Sequence, residues 1–253
     1  MRDPCPKCDS SSGYQFTEDT GFGYCHCCGY CKFSGDKFKT NLLEMKIVDD
    51  TSFVSHVNGI YLPRDVSKEI PREALSWLYR NHVYDDIIEH YGICWSNDCH
   101  GAGPRLVVPI YTSDGILFGF EARSFTSKPK WMTYGPKDPI IHIIDNFPII
   151  IVEDLISALR LYYLGCNVLC LRGLSFKDRT ASKVINSGNA VILWLDGDRP
   201  GVKASEKIKN KLTMLNSELY IKSLWTLKDP KAYTDDEIKK ILFACTADMV
   251  GVK

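Results

Sequence analysis

IIIVEDLISALRLYYLG, residues Ile149 to Gly165, is the stretch that decides the fold. The apolar run Ile149–Val152 predicts a short buried strand, and Asp154–Leu164 predicts a helix that Gly165 ends. An entirely apolar strand followed by a helix is typical of a parallel sheet covered on both faces. Glu153 then lies at the carboxyl end of the strand, where open α/β folds bind their ligands.

The same alternation continues to the end of the chain. Further strands are predicted at Val168–Leu171, Ala190–Leu195 and Leu219–Leu224, and further helices at Phe176–Ile185, Gly201–Leu212 and Asp235–Phe243. Upstream, helical spacing predicts helices over 71–80 and 83–91. Alternation predicts a hairpin of Arg105–Tyr111 and Ile116–Arg123 around an Asp-Gly turn. The predicted fold class is α/β, with a parallel sheet flanked by helices.

Composition and periodicity together divide the chain into four parts. Residues 1–35 are rich in Cys, Gly and aromatic residues, which predicts a small metal-stabilised module. Residues 36–58 are polar with little periodicity, which indicates a linker. Residues 59–145 contain the predicted hairpin, and residues 146–253 contain the strand–helix alternation.

Bulk charge gives no argument for a nucleic-acid partner, because the formal net charge is zero. Any polyanion site must therefore come from local clustering, and residues 101–140 hold five basic side chains against three acidic ones: Arg105, Arg123, Lys128, Lys130 and Lys137 against Asp114, Glu121 and Asp138. The chain has no apolar run of about 18 residues and begins without a signal-peptide pattern. We expect a soluble, cytoplasmic protein without a membrane partner.

Cysteine spacing predicts a zinc ribbon at the N-terminus. Six of the 11 cysteines fall within the first 31 residues, in two C-x-x-C pairs separated by 16 residues. The predicted ligands are Cys5, Cys8, Cys25 and Cys28. His26, Cys27 and Cys31 are alternative ligands, but Gly29 after the last thiolate favours the chosen register. Four protein ligands around Zn²⁺ indicate a structural metal.

The predicted ribbon is also rich in rings. Tyr14, Tyr24 and His26 are candidates for stacking on the unpaired bases of a single-stranded template. The alternative is that such rings only pack the small core of the ribbon.

Acidic residues end two of the predicted parallel strands. Asp196-Gly-Asp198 follows Ala190–Leu195, so both aspartates leave the sheet at the edge that also holds Glu153. Three carboxylates so gathered repel one another unless cations neutralise them, and oxygen ligands suit Mg²⁺ or Mn²⁺. Glu153, Asp196 and Asp198 are therefore the predicted magnesium ligands. The alternative is that they are solvated loop acids.

Glu153 after Ile-Ile-Ile-Val, with Asp196-Gly-Asp198 and the following Pro-Gly-Val-Lys-Ala, resembles the TOPRIM fold of bacterial-type primases, topoisomerases and some nucleases. With a Cys-pair ribbon ahead of it, the chain resembles DnaG-type DNA primases, most of all the primase half of phage primase–helicases. The resemblance implies a zinc ribbon followed by a primase core that contains a TOPRIM sheet. It also implies catalytic roles for Glu153, Asp196, Asp198 and Asp229.

The same resemblance implies binding residues and partners. The stretch from Arg123 to Lys130 is similar to the basic strand that the family uses for nucleotides and template, and Arg172 lies in a loop that faces the active centre. The implied nucleotide and template residues are Arg105, Arg123, Lys128, Lys130 and Arg172. The implied activity is synthesis of RNA primers from ribonucleoside triphosphates on single-stranded DNA, with structural Zn²⁺ and catalytic Mg²⁺ or Mn²⁺. The sequence has no G-x-x-x-x-G-K-[ST] motif, so we expect a separate helicase partner.

One motif departs from the family pattern. Where the family has Glu-Gly-x-x-Asp, this chain has Glu153-Asp154-Leu-Ile-Ser157, and serine is a poorer metal ligand than aspartate. The number of bound ions therefore does not follow from the resemblance. We expect Asp154 to cap the following helix.

Two other function classes share parts of this pattern. A RecR-type recombination mediator also joins a Cys-bearing finger to a TOPRIM domain, but its finger follows a helical segment for which there is no room before Cys5. A TOPRIM nuclease shares the acids but needs neither the ribbon nor the basic hairpin. A topoisomerase needs a tyrosine-bearing domain that this length does not accommodate.

Overall fold

The protein is described by a computed structural model. It describes residues 59–111, 115–143, 147–226 and 228–246 in full, together with the backbone of five short strands before residue 59 and of the last helix up to Val250. The chain forms two compact units, 1–44 and 45–253.

The first unit contains a four-stranded antiparallel sheet. Its strands are β1 (Arg2–Asp3), β2 (Tyr14–Thr17), β3 (Phe22–Cys25) and β4 (Cys31–Phe33), in that order across the sheet. Cys25 lies opposite Tyr14 in the β2–β3 register.

The predicted zinc and base-contact residues fall largely outside the described residues. This applies to Cys5, Cys8, Cys28 and His26, and to the side chains of Cys25, Tyr14 and Tyr24, so their roles stay predictions.

The second unit is a mixed α/β domain, as predicted. Its elements are β5 (Lys46–Ile47), α1 (Arg72–Arg80), α2 (Asp85–His90), β6 (Cys94–Ser96), β7 (Arg105–Tyr111), β8 (Leu117–Arg123), β9 (Trp131–Tyr134), β10 (Ile140–His142), β11 (Ile149–Val152), α3 (Leu155–Tyr163), β12 (Asn167–Cys170), α4 (Asp178–Asn186), β13 (Val191–Leu193), α5 (Arg199–Leu215), β14 (Ile221–Ser223) and α6 (Asp235–Val250). A short 3-10 turn, Pro230–Ala232, precedes α6.

The smaller sheet of this unit is antiparallel, in the order β6-β7-β8-β9. The predicted hairpin is confirmed, since β7 and β8 pair from Leu106 opposite Arg123 onward. Phe120 on β8 stacks on Tyr134 of β9, with ring centroids 4.4 Å apart. This sheet therefore holds the basic stretch 123–130 on a packed support.

The larger sheet has the order β14-β13-β11-β12-β10-β5. Strands β11 to β14 are mutually parallel, which confirms the prediction for this part of the sheet. The sheet as a whole is mixed, because β10 runs antiparallel to β12 and β5 runs antiparallel to β10. β5 lies within the segment whose composition indicated a linker.

Both faces of the larger sheet are covered. Every residue of β11 and β12 is buried, and successive residues of a strand point to opposite faces. Ile151, Leu169 and Leu193 are fully buried in one apolar cluster that includes residues of α4 and α5. Burial of each such side chain contributes about 1.5–3 kcal/mol. Among the described residues, no helix is both long enough and apolar enough to cross a membrane.

Candidate active site

The acidic residues lie at the carboxyl edge of the parallel strands. β11 and β13 are neighbours, with Ile151 opposite Leu193, so Glu153 and the Asp196–Asp198 segment leave the sheet at the same edge. Gly197 is required here, because a Cβ at this position would collide with the carbonyl oxygen of Thr226. The close approach holds the aspartate segment against the irregular segment that follows β14.

The acids raise one another's proton affinity. Burial, followed by the charges of Asp196 and Asp198, raises the pKa of Glu153 to about 7. Burial, followed by the charge of Asp229, raises the pKa of Asp196 to about 6, and the ammonium of Lys231 opposes both shifts. The negative charge of these neighbouring carboxylates attracts either protons or metal cations.

The carboxylate oxygens of Glu153, Asp196 and Asp198 suit a hard divalent cation. Carboxylate oxygens are the ligands of Mg²⁺, which keeps several waters and is usually held by one or two protein carboxylates plus substrate phosphates. Within the fully described ranges, no three Asp, Glu, His or Cys side chains form a ready-made ligand cluster. The acids therefore form an open edge rather than an all-protein cage.

Asp198 has a second role in the fold. It is the N-cap of α5, where its Oδ1 accepts a hydrogen bond of 2.8 Å from the backbone N–H of Gly201. Pro200 lies in the first helical turn, where its missing N–H costs nothing. The helix start therefore fixes one of the acids.

Asp154 caps helix α3, which confirms the prediction made from the sequence. Its Oδ1 accepts hydrogen bonds of 3.1 Å from the backbone N–H groups of Ile156 and Ser157. Its Oδ2 accepts a bond of 2.6 Å from the hydroxyl of Ser157, which is fully buried. Ser157, where the family pattern has aspartate, thus donates a hydrogen bond to the residue that caps α3.

Lys231 is the residue that sequence reasoning missed. Its Nζ lies 3.1 Å from Oδ2 of Asp154 and 2.8 Å from Oδ2 of Asp229, so one ammonium bridges two carboxylates. The two aspartates raise the pKa of Lys231, against the opposing effect of burial, which is the largest single influence. The signal was the run Lys228-Asp229-Pro230-Lys231, but Asp154 is 77 positions away along the chain.

The loop that contains Arg172 lies beside Glu153. The N–H of Gly173 donates to the carbonyl oxygen of Glu153 at 3.1 Å. The Arg172 side chain, only 1% exposed, donates through Nε to Glu121 at 2.9 Å and through Nη1 to the carbonyl of Pro136 at 2.6 Å. Arg172 therefore ties the site to the smaller sheet.

Arg123 lies among three aromatic rings. Its guanidinium carbon is 4.2 Å from the centroid of Trp77, 5.2 Å from Phe125 and 5.3 Å from Trp131. Burial lowers the pKa of Arg123, and its Nε has no hydrogen-bond partner among the described residues. The predicted binding residue is thus held by cation–π contacts.

The other predicted basic residues divide into buried and exposed ones. Arg105 is 1% exposed and donates to the carbonyl of Pro129 at 3.1 Å, so it supports the 124–130 loop from beneath. Lys128 and Lys130 are exposed on that loop. Of the predicted nucleotide and template residues, these two lysines are the ones that solvent reaches freely.

Comparison with known proteins agrees with this fold. Residues 150–234 match the model of a family described as Toprim-like, which confirms the predicted TOPRIM sheet. A comparison with curated proteins found no match.

Several solved structures share the fold. The DnaG catalytic core has 17% identity and a TM-score of 0.55, over 70% of this chain and 73% of that one. A fragment of the Aquifex aeolicus primase with its zinc-binding and RNA polymerase domains has 16% identity and a TM-score of 0.54, over 98% and 78%. A DnaG primase catalytic domain bound to single-stranded DNA has 18% identity and a TM-score of 0.54, over 70% and 71%. The chain therefore has the fold of DnaG-type primase cores.

Proposed function

We propose that this protein is a DNA primase that joins ribonucleotides on a single-stranded DNA template. The observation that supports this most directly is the position of Glu153, Asp196 and Asp198 at one carboxyl edge of the sheet, within a fold shared with DnaG catalytic cores. Open α/β sheets bind their ligands at this edge.

The reaction is attack of the 3′-hydroxyl of one nucleotide on the α-phosphorus of the next. A P–O bond to the new linkage forms, the bond to pyrophosphate breaks, and the hydroxyl proton is lost. Glu153, Asp196 and Asp198 would hold Mg²⁺ or Mn²⁺, which lowers the hydroxyl pKa and neutralises charge on the attacking and leaving oxygens. Glu153 would either contribute a ligand oxygen or accept the hydroxyl proton.

The exposed loop lysines would bind the polyanionic reactants. Lys128 and Lys130 lie on the loop that Arg105 supports, and ammonium groups bind phosphate oxygens as point charges. Arg123 contacts three aromatic rings and is less exposed than the two lysines. The proposal therefore assigns the first phosphate contacts to the two lysines.

The N-terminal unit would read the template. In this proposal Cys5, Cys8, Cys25 and Cys28 bind structural Zn²⁺, and Tyr14, Tyr24 and His26 stack on unpaired bases. A separate replicative helicase would supply the unwound strand.

Primer synthesis tests the proposal directly. Purified protein is incubated with single-stranded oligonucleotides of varied sequence, labelled ribonucleotides and Mg²⁺ or Mn²⁺, and the products are resolved on a sequencing gel. We expect short labelled oligomers that Asp196→Ala and Asp198→Ala abolish. The matched control is Asp236→Ala, because Asp236 is an exposed acid in the first turn of α6.

The alternative functions would give different products on the same gel. Absence of oligomers with every template and metal, with and without added helicase, would overturn the primase proposal. Cleavage of end-labelled DNA that depends on Asp196 would instead indicate a TOPRIM nuclease. Retention of DNA without synthesis or cleavage would indicate a binding protein of the recombination-mediator class.

A further inference from the structure

Lys231 lies beside the carboxyl edge of the sheet that holds Glu153, Asp196 and Asp198, the acidic edge. A positive charge there offsets the repulsion between carboxylates. Its Nζ is within hydrogen-bond distance of Asp154 and Asp229, and its side chain is only 19% exposed. Ammonium–carboxylate bonds at such distances are charge-assisted, and partial burial strengthens them. Lys231 also acts on Glu153 and Asp196, whose negative charge it partly offsets.

The backbone around Lys231 is fixed by α3. The N–H of Lys231 donates to the hydroxyl of Ser157 at 3.3 Å. The buried guanidinium of Arg160, one turn further along α3, donates to the carbonyls of Lys231 at 3.3 Å and of Tyr233 at 2.5 Å, and it pairs with Asp235. The ammonium is therefore held in place from both its backbone and its side chain.

The two carboxylates that Lys231 bridges are already engaged. Both oxygens of Asp154 accept hydrogen bonds from the start of α3, and Oδ2 also contacts the ammonium. Oδ2 of Asp229 lies 2.8 Å from the same ammonium. A divalent cation between these aspartates would have to displace Lys231, and the loss of both ion pairs would reduce its binding free energy.

We infer that the ammonium of Lys231 takes the place of one divalent ion between Asp154 and Asp229. It thereby confines metal binding to Glu153, Asp196 and Asp198. The inference rests on the proposed metal-dependent function and deepens it. It makes Asp229 a positioning residue that holds Lys231, rather than a metal ligand.

Counting Mn²⁺ ions tests this inference without an activity assay. Electron paramagnetic resonance titration gives the number of Mn²⁺ bound per chain, and diamagnetic Zn²⁺ elsewhere in the protein does not contribute. We expect Lys231→Met, which keeps the length of the side chain but removes its charge, to bind one more Mn²⁺ than the wild type. Lys209→Met is the matched control, since Lys209 is an exposed lysine on α5, and its count should equal that of the wild type. An unchanged count for folded Lys231→Met would overturn the inference.

Asp229→Asn provides a second variant that keeps the lysine. If Asp229 serves Lys231, Asp229→Asn binds as many Mn²⁺ ions per chain as the wild type. A lower Mn²⁺ count for folded Asp229→Asn would make Asp229 a direct ligand and overturn the inference. This variant decides the matter even if Lys231→Met does not fold.

Thermal unfolding gives an independent readout. In EDTA, Lys231→Met should unfold at a lower temperature than the wild type, because two carboxylates lose their cation. Added Mg²⁺ should then stabilise the variant more than the wild type. Equal stabilisation of both proteins would contradict an exchange between ammonium and metal.

Failure of the inference differs from failure of the proposed function. Mn²⁺ binding that Asp196→Asn weakens but Lys231→Met leaves unchanged overturns the inference alone. Absence of Mn²⁺ binding in the wild type and in Lys231→Met, together with absence of primer synthesis, overturns both.

Discussion

Glu153 illustrates how the setting of a single carboxyl group controls its charge. Burial first, and then the neighbouring aspartates, raise its pKa from 4.5 to about 7. In the absence of a divalent cation, the folded protein therefore keeps a proton on Glu153 at pH values where the unfolded chain has lost it. A bound cation would favour the ionised form.

The stability of the metal-free protein should consequently fall as pH rises through this range. Because the native state binds more protons than the unfolded state between pH 4.5 and about 7, the contribution of Glu153 to stability is present at low pH and is lost by about pH 7. Glu153→Gln should reduce the slope by at most about 1.4 kcal/mol per pH unit. Denaturant unfolding in EDTA at several pH values measures this, and parallel curves for wild type and variant would contradict it.

Sequence alone could place the strand-end acids but not their partners. An apolar run followed by Glu153, and another followed by Asp196, predict one shared sheet edge because parallel strands align their carboxyl ends. The bridge from Lys231 to Asp154 joins residues 77 positions apart, and no periodicity reports such a contact. The burial of Arg105 could not be predicted either, because its charge suggested that the side chain contacts solvent or substrate.

Helix α5 begins at an acid that caps it and that the proposed reaction would also use. Asp198 caps the helix through an acceptor oxygen, a role that asparagine also fills, whereas metal binding needs the charge. The two roles should therefore separate in different substitutions.

Asp198→Asn and Asp198→Ala should both abolish primer synthesis but differ in stability. Both remove the same repulsive charge, so their difference isolates the cap, and the alanine variant should be less stable by about 1 kcal/mol. Denaturant unfolding in EDTA compares them. Equal stabilities would show that the hydrogen bond to Gly201 contributes nothing to the helix.

The predicted elements were confirmed where strands are long, as in the β7–β8 hairpin, or where a short apolar run belongs to the strand–helix alternation, as in β11. β9 and β10 were not predicted, because they lie outside that alternation and three or four side chains alone cannot define a period. The direction of β10 could not be read from its residues at all. Strand direction depends on the path of the chain and leaves no mark on composition.

The whole molecule does not divide where its composition changes. β10 lies upstream of residue 146 but pairs with β12 in the larger sheet, from Ile140 opposite Cys170 to His142 opposite Val168. Arg172 in turn depends on Glu121 and on the Pro136 carbonyl, both from the preceding part of the chain. Residues 146–253 are therefore incomplete as a folding unit.

A fragment of residues 146–253 should aggregate, whereas residues 45–253 should fold. The shorter fragment exposes the backbone edge of β12 and leaves the buried guanidinium of Arg172 without its acceptors, a loss of about 3–5 kcal/mol for a buried pair. Size-exclusion chromatography and thermal melting compare the two. A fragment starting at Pro136 restores β10 and should behave better than the shorter one. A cooperative melt of 146–253 equal to that of 45–253 would refute the dependence.

The aromatic cage of Arg123 has an optical consequence. Trp77 and Trp131 are two of the five tryptophans in the chain, and both rings lie within 5.3 Å of the guanidinium carbon of Arg123. Indole emission depends on nearby charge, so withdrawal of the cation by an arriving phosphate would change the intrinsic fluorescence of the protein. Under the proposed function, the chain would thus contain an unlabelled reporter of phosphate binding beside the loop that exposes Lys128 and Lys130.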